Sequence, residues 1–208
     1  MANGTISDKI LKRLPAYLDY LKSLPEDVEN ISATAIAKNL ELGEVQVRKD
    51  LANVSESGRQ RTGRSKKQLI QDIEYHLNVA AATGAVVVGI GNLGLALLEY
   101  KGFAAFGVNV LAGFDIQPAD KYSKAGKTVY PMGRLHSFCR EQNVGIGIIA
   151  VPAEQAQSVC DHLVACGIRA IWNFAPTTLR VPDHVVIQNE NLAVSLTALR
   201  LLLLKQRE

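Results

Sequence analysis

Cysteine is scarce in this chain: Cys139, Cys160 and Cys166 are an odd number with no C-x-x-C spacing. That excludes a disulfide framework and speaks against a zinc site, so no metal is expected and a reducing compartment fits best. No apolar run reaches the roughly 20 residues that a membrane span needs. The start, "MANGTISDKI", lacks the basic and then apolar pattern of a secretory leader. The expectation is a soluble, cytoplasmic protein without a membrane partner. Neither an internal repeat nor a low-complexity stretch is present, which excludes solenoids and disordered tails.

What the chain does hold is enough apolar material, 48% of 208 residues, for one mid-sized domain or two small ones. Its net charge of +3 is unevenly placed, because residues 1–67 carry 12 basic and 9 acidic side chains and the remainder 11 of each. All the excess positive charge is therefore N-terminal.

Apolar residues at helical intervals, Ile6, Ile10, Leu14, Tyr17, Leu18 and Leu21, predict a helix over residues 5–24 that Pro15 kinks or interrupts. Ser32 is placed to cap a short helix, "ATAIAKNL", and Gly43 turns the chain into a second, "VQVRKDLANV". The segment "SESGRQRTGRSKK" suits a hairpin, or wing, and from Gln68 a linking helix leads to "GAVVVGI". From there strands alternate with helices. "VNVLAGFD", "VGIGIIAVP" and "GIRAIWNFAP" are apolar enough to be parallel strands covered on both faces. "AEQAQSVCDHLVAC" is a crossover helix stopped at Gly167, and "VVIQNE" is a last strand. "NLAVSLTALRLLLLK" has leucines on almost every face, and a helix apolar all round must be buried.

In "GIGNLG", Gly89, Gly91 and Gly94 fit G-x-G-x-x-G: a tight turn, a close backbone approach to pyrophosphate, and close packing of helix on strand. The helix start at Asn92, Leu93, Gly94 and Leu95 would offer free amides and a positive dipole end to phosphates. Asp115 ends the next strand at the distance expected of a ribose ligand, and its charge would repel a 2'-phosphate, favouring NAD over NADP. CoA or another adenine nucleotide fits the same turn. Residues following the later strands, Val151, Pro152, Phe174 and Ala175, would line the rest of the pocket, with Phe174 against a nicotinamide, or would be plain core.

A hydride-transfer enzyme also needs a proton donor or acceptor beside that pocket. His76 falls on the linking helix, His136 and His162 fall in crossover helices, and His184 follows Pro182 in a loop. Tyr100 and Lys101 are adjacent, so on a helix they point about 100° apart and do not cooperate. No catalytic residue is assigned, and no separate substrate domain is present. The expectation is that the chain is not an enzyme.

Residues 46–67 hold seven basic side chains against Asp50 and Glu56. In a helix-turn-helix the second helix would enter the major groove of double-stranded DNA, with Gln46 or Arg48 reading base edges. Lys49, Arg59, Arg61 and Arg64 would bind phosphate. The bland alternative is a solvated charged face.

The pieces "RLPAYLDYL", "VQVRKDL", "GIGNLGLAL", "FDIQP", "VPAEQAQ", "GIRAIWNFAP" and "NLAVSLTAL" occur in an order that resembles the Rex family of redox-sensing transcriptional repressors. The resemblance covers nearly the whole chain and implies an α/β protein. A winged-helix DNA-binding domain (1–80) would precede a doubly wound, Rossmann NAD(H)-binding domain (81–190) and a C-terminal helix (191–208) exchanged between subunits of a homodimer. It implies NADH and NAD as cofactors, operator DNA released on NADH binding, and Tyr100 near the cofactor helix. The chain departs from the family's aromatic and glycine-rich stretch after "VRKDL", where it has "ANVSESG". It also has Asp19 and Asn191 where members often carry an Arg and Asp pair able to bridge subunits. The competing expectations are a small NAD-dependent oxidoreductase and a nucleotide-binding dimer with altered or lost operator recognition.

Overall fold

The computed structural model describes residues 6–55, 63–118 and 126–206. The chain forms two compact units, one running to Ala82 with Ala105–Gly107 added, the other Thr83–Ala104 and the chain from Val108 on.

In the first unit, helix α1 (Asp8–Leu11) stops short of α2 (Leu14–Ser23), and Pro15 sits in the first turn of α2. There its missing N–H costs nothing, so the proline sets the break. Leu14, Tyr17, Leu18 and Leu21 form one fully buried stripe on α2. Strand β1 (Asn30–Ile31) leads to α3 (Ala33–Asn39), whose first turn is capped by Ser32, its Oγ accepting from Ala35 N at 3.1 Å. Glu41, at φ 53°, reverses the chain, and α4 (Glu44–Val54) starts from Gly43.

Strand β2 (Arg64–Ser65) pairs antiparallel with β1, so the base of the wing is a two-residue ladder. Gly63 takes φ 77° beside it, where a Cβ would lie 2.8 Å from Ile31 O. Helix α5 (Lys66–His76) begins two residues before the predicted Gln68. Ser65 caps it by accepting from Gln68 N, which draws Lys66 and Lys67 out of the expected hairpin and into the first turn. The common core joins Tyr17, Leu18, Ile36, Val47, Leu51, Leu69 and Ile73.

The second unit is one six-stranded sheet with every pairing parallel. Its strands are β3 (Thr83–Val88), β4 (Val108–Asp115), β5 (Val129–Pro131), β6 (Ile146–Ile149), β7 (Ala170–Asn173) and β8 (Val186–Asn189). They lie in the order β5-β4-β3-β6-β7-β8. Counted within the unit this is 3-2-1-4-5-6, the doubly wound nucleotide-binding order, which reverses between β3 and β6. Helices α6 (Asn92–Glu99), α7 (Leu135–Glu141) and α8 (Ala153–Ala165) make the crossovers, and Gly167 at φ 88° ends α8.

Two apolar clusters sit on opposite faces of the sheet. One is built on Phe114, Leu135, Ile149 and Leu163, the other on Val87, Leu98, Val110 and Ile148. Such double coverage is why these strands read as unbroken apolar runs. Strand β5, short and ending in proline, carries no such run and escapes the sequence pattern.

The last helix, α9 (Leu192–Lys205), has no buried residue within the chain. The expectation that its leucines are buried is not met by this chain's own core. Among the described residues no helix is long and apolar enough to cross a membrane.

Candidate functional site

The turn after β3 is built by contact. Gly89 adopts φ 91°, its N–H donates to Phe114 O, and a Cβ there would lie 2.5 Å from Val151 Cγ1. Gly94 lets α6 rest on the turn, because its Cβ would stand 1.8 Å from Gly89 O. Gly91, which starts α6, is the contrast: a Cβ there would meet no protein atom within 4 Å. Packing thus accounts for Gly89 and Gly94, while Gly91, Asn92 and Leu93 present exposed backbone at the positive end of an eight-residue helix. We expect Gly94→Ala to destabilise this unit at or above the upper end of the about 1–3 kcal/mol typical of overpacking, read by thermal denaturation. Gly91→Ala should leave stability nearly unchanged.

Asp115, the last residue of β4, points its carboxylate at the same turn. Oδ2 accepts from Ile90 N at 2.7 Å and Oδ1 from Gln117 N at 3.0 Å. The carboxylate therefore shapes the turn as well as facing its mouth, and each oxygen keeps lone-pair capacity for a hydroxyl. Ile116, Gln117 and Pro118 follow, none of them cationic.

Across the point of reversal, Ala150 N donates to Val88 O and Phe174 N to Ile149 O, so Val151, Pro152, Phe174 and Ala175 stand at the carboxyl ends of β6 and β7. Ala175 is buried, Val151 and Phe174 are half-buried, and Pro152 is exposed. The loop carrying Phe174 is held by Asn173, fully buried, whose Nδ2 donates to Thr177 O and Asn189 Oδ1 and whose Oδ1 accepts from Ala175 N. Sequence reading missed Asn173; its only signal is a polar residue closing an apolar strand.

Tyr100 is not brought to the glycine turn by its own chain. It follows Glu99 at the opposite end of α6, about 12 Å along the helix. Its exposed ring lies against Phe103, which meets Trp172, which meets Phe174 at 4.5 Å.

In the first unit the outer face of α4 exposes Val45, Gln46, Arg48 and Lys49, while Val47, Asp50, Leu51 and Val54 are buried. Arg48 pairs with Glu44 one turn earlier. In the amide orientation that satisfies both groups, Gln46 accepts from Arg13 Nε at 3.0 Å. Beneath it Arg13 holds Asp50 with two bonds, at 2.7 and 2.8 Å, and Tyr17 Oη donates to the same carboxylate at 2.7 Å. Burial and that donation push the Tyr17 hydroxyl up to about 12, and the Asp50 contact raises Arg13 further. This anchor, which sequence reading also missed, fixes the pitch of α4 on α2. Arg64 is half-buried in β2, where burial lowers its pKa, and Lys66 Nζ donates to Pro25 O. Arg59 and Arg61 lie outside the described residues.

Among the described residues no cluster of His, Cys, Asp and Glu could hold a metal ion. Burial raises the pKa of all three cysteines, Cys139 to about 12, so they stay protonated thiols at neutral pH and are poor nucleophiles.

Two family models match, "Putative DNA-binding protein N-terminus" over residues 5–52 and "CoA binding domain" over residues 80–177. The redox-sensing transcriptional repressor Rex of Carboxydothermus hydrogenoformans is 39% identical over 96% of this chain and 97% of its own length. That of Porphyromonas gingivalis is 37% identical over 93% of this chain and 90% of its own. The chain belongs to the Rex family. Among solved structures, RSP, a Rex-family repressor, in complex with β-NAD+ and operator DNA covers 99% of this chain and 95% of its own, at TM-score 0.84 and 32% identity. RSP with β-NADH matches at TM-score 0.84 and 31% identity, covering 99% of this chain and 97% of its own. As in other Rex chains, a DNA-binding N-terminal part thus precedes a nucleotide-binding sheet, and the Rex relatives are named as repressors rather than enzymes.

Proposed function

We propose that this chain is a DNA-binding transcriptional repressor that senses the NADH/NAD+ balance, working in the cytoplasm as a homodimer joined through α9. The observation that carries the reading is Asp115, hydrogen-bonded to the glycine turn at the reversal point of the sheet, in a chain whose α4 exposes Gln46, Arg48 and Lys49. The Rex-family structures with β-NADH, and with β-NAD+ and operator DNA, support it.

When bound, the dinucleotide supplies the redox signal, since its nicotinamide ring is charged in NAD+ and neutral in NADH. Gly91, Asn92, Leu93 and Gly94 hold the pyrophosphate on backbone amides, with Gly89 shaping the turn beneath. Asp115 accepts from the adenosine ribose. Val151, Pro152, Phe174 and Ala175 enclose the nicotinamide end, and Tyr100, remote from the turn, serves the subunit interface. Gln46 and Arg48 read base edges, while Lys49, Arg59, Arg61 and Arg64 bind phosphate; Arg64, being half-buried, reaches only the nearest one. The chain shifts between two dimer arrangements through their different affinities for nucleotide and DNA, so each ligand must oppose the other equally.

Calorimetry should find NADH binding far more tightly than NADPH, because a 2'-phosphate would meet the Asp115 carboxylate. Asp115→Ala should weaken NADH by about tenfold or more and loosen the glycine turn through loss of the Ile90 contact. Equal affinities for the two nucleotides would remove Asp115 from the ribose site.

Operator affinity should fall steeply with salt, log affinity against log salt losing about 0.9 in slope for each phosphate contact removed. Lys49→Ala should weaken all sequences alike, whereas Arg48→Ala should relax choice at one base pair by about 1–3 kcal/mol. An unchanged footprint in Arg48→Ala would place base reading elsewhere.

A further inference from the structure

Strand β7 is tied to the segment leading into α9 by more than the sheet ladder. Trp172 Nε1 donates to Glu190 Oε1 at 3.2 Å, and Glu190 N donates to Asn173 O at 2.8 Å. The next residue, Asn191, caps α9 by accepting from Ala193 N and Val194 N. The Trp172 indole also packs on Phe174, ring centroids 4.5 Å apart. One side chain thus touches both the aromatic at the strand end and the residue before the α9 cap.

We propose that the Trp172–Glu190 hydrogen bond couples the pocket at Phe174 to the seating of α9, with Trp172 and Glu190 as positioning residues for the switch. The proposal rests on the reading that nucleotide binds at the glycine turn and that α9 joins the subunits.

The surroundings confine movement to these side chains. Asn173 pins the loop backbone just beyond Phe174, at Ala175 and Thr177, and Phe103 meets the indole edge-on at 5.7 Å. A displaced Phe174 ring in a close-packed interior must move its neighbour. Trp172 cannot tilt far and keep its bond, since such bonds weaken steeply once misaligned. Glu190 Oε1 also accepts from Gln188 Nε2 at 3.4 Å, so the carboxylate has a second partner on its own segment to which it shifts when the indole bond breaks. Asn191, the α9 cap, follows Glu190 directly, so loss of the indole bond frees the residue on which the cap is hung.

The test uses full-length protein and a duplex selected by the wild-type protein from a randomised pool. The readout is the ratio of operator Kd with saturating NADH to that with saturating NAD+. A wild-type ratio of about tenfold or more should collapse to about twofold or less in Trp172→Phe and Glu190→Ala, with NADH affinity by calorimetry held within about threefold. Glu190→Gln retains an accepting Oε1 and should keep the wild-type ratio. Because Trp172 is the chain's one tryptophan, its emission in the nucleotide-free protein reports the bond directly. It should shift in Glu190→Ala and stay in Glu190→Gln.

A wild-type ratio retained by both disrupting variants overturns the proposal alone. So does a Glu190→Ala variant that loses NADH affinity at an unchanged ratio. A wild-type ratio of one overturns the proposal together with the reading beneath it.

Discussion

A chain ending before Asn191 should lose its dimer. Within one chain α9 leaves Leu192, Val194, Leu196, Leu199, Leu201, Leu202, Leu203 and Leu204 between 43% and 67% exposed, and on the proposed reading a second copy covers them. Burying the exposed half or so of all eight side chains on each chain, at about 1.5–3 kcal/mol per whole side chain, yields on the order of 12–24 kcal/mol per dimer. That exceeds most of the roughly 4–15 kcal/mol that association costs. Light scattering should show the truncated chain at half the native mass. The variant Leu196→Lys/Leu199→Lys/Leu203→Lys should do the same while keeping its length. A dimer that survives truncation at micromolar concentration would mean the subunits join elsewhere.

The second large effect is expected at the anchor of α4. Arg13→Ala leaves the Asp50 carboxylate, only 5% exposed, with Tyr17 as its remaining partner of the two. Removing one member of a buried pair costs about 3–5 kcal/mol because the other charge stays uncompensated. The same change frees the Gln46 amide, so operator affinity should fall even where the fold survives. Alkaline titration supplies a check with a definite sign. Tyr17 stays protonated in the fold to about 12, against an ordinary value of 10, so the unfolded chain releases its proton first. The stability this adds is whole below pH 10 and is lost as pH rises towards 12. Tyr17→Phe should flatten that alkaline decline; an unchanged slope would show that the hydroxyl is neither buried nor held by Asp50 as described.

Features with local causes were legible in the sequence. Pro15 broke the first helix, Ser32 capped the third, Gly43 opened α4, and the glycine turn formed between a buried strand and a helix. What stayed hidden depends on partners far along the chain. Asp50 reads as one more charge in "VRKDL" until the fold brings Arg13 to it across 37 residues. Trp172 is one more residue of an apolar strand until Glu190, the residue after β8, accepts from its indole. Strand β5 was missed because "VYP" is only three residues long and ends in proline at the sheet edge, and α5 began early because Ser65 capped a stretch whose lysines looked like wing. Tyr100, expected near the cofactor helix, follows α6 at the end away from the glycine turn, so any role at the nucleotide depends on a contact that its own chain does not make. The leucines of α9 read as needing cover, and this chain's own core does not supply it.

The resemblance puts Asp19 and Asn191 where an Arg and Asp pair would bridge subunits, and on the proposed reading one dimer arrangement forgoes about 1–3 kcal/mol per charge-assisted contact. Switching should then be real but shallower than a full bridge would give. The direct measurement is operator affinity at saturating NADH, at saturating NAD+ and with neither. The account predicts that NADH weakens binding relative to both other states, by less than about a hundredfold. Identical affinities in all three would contradict it, leaving a DNA-binding protein that merely holds a nucleotide.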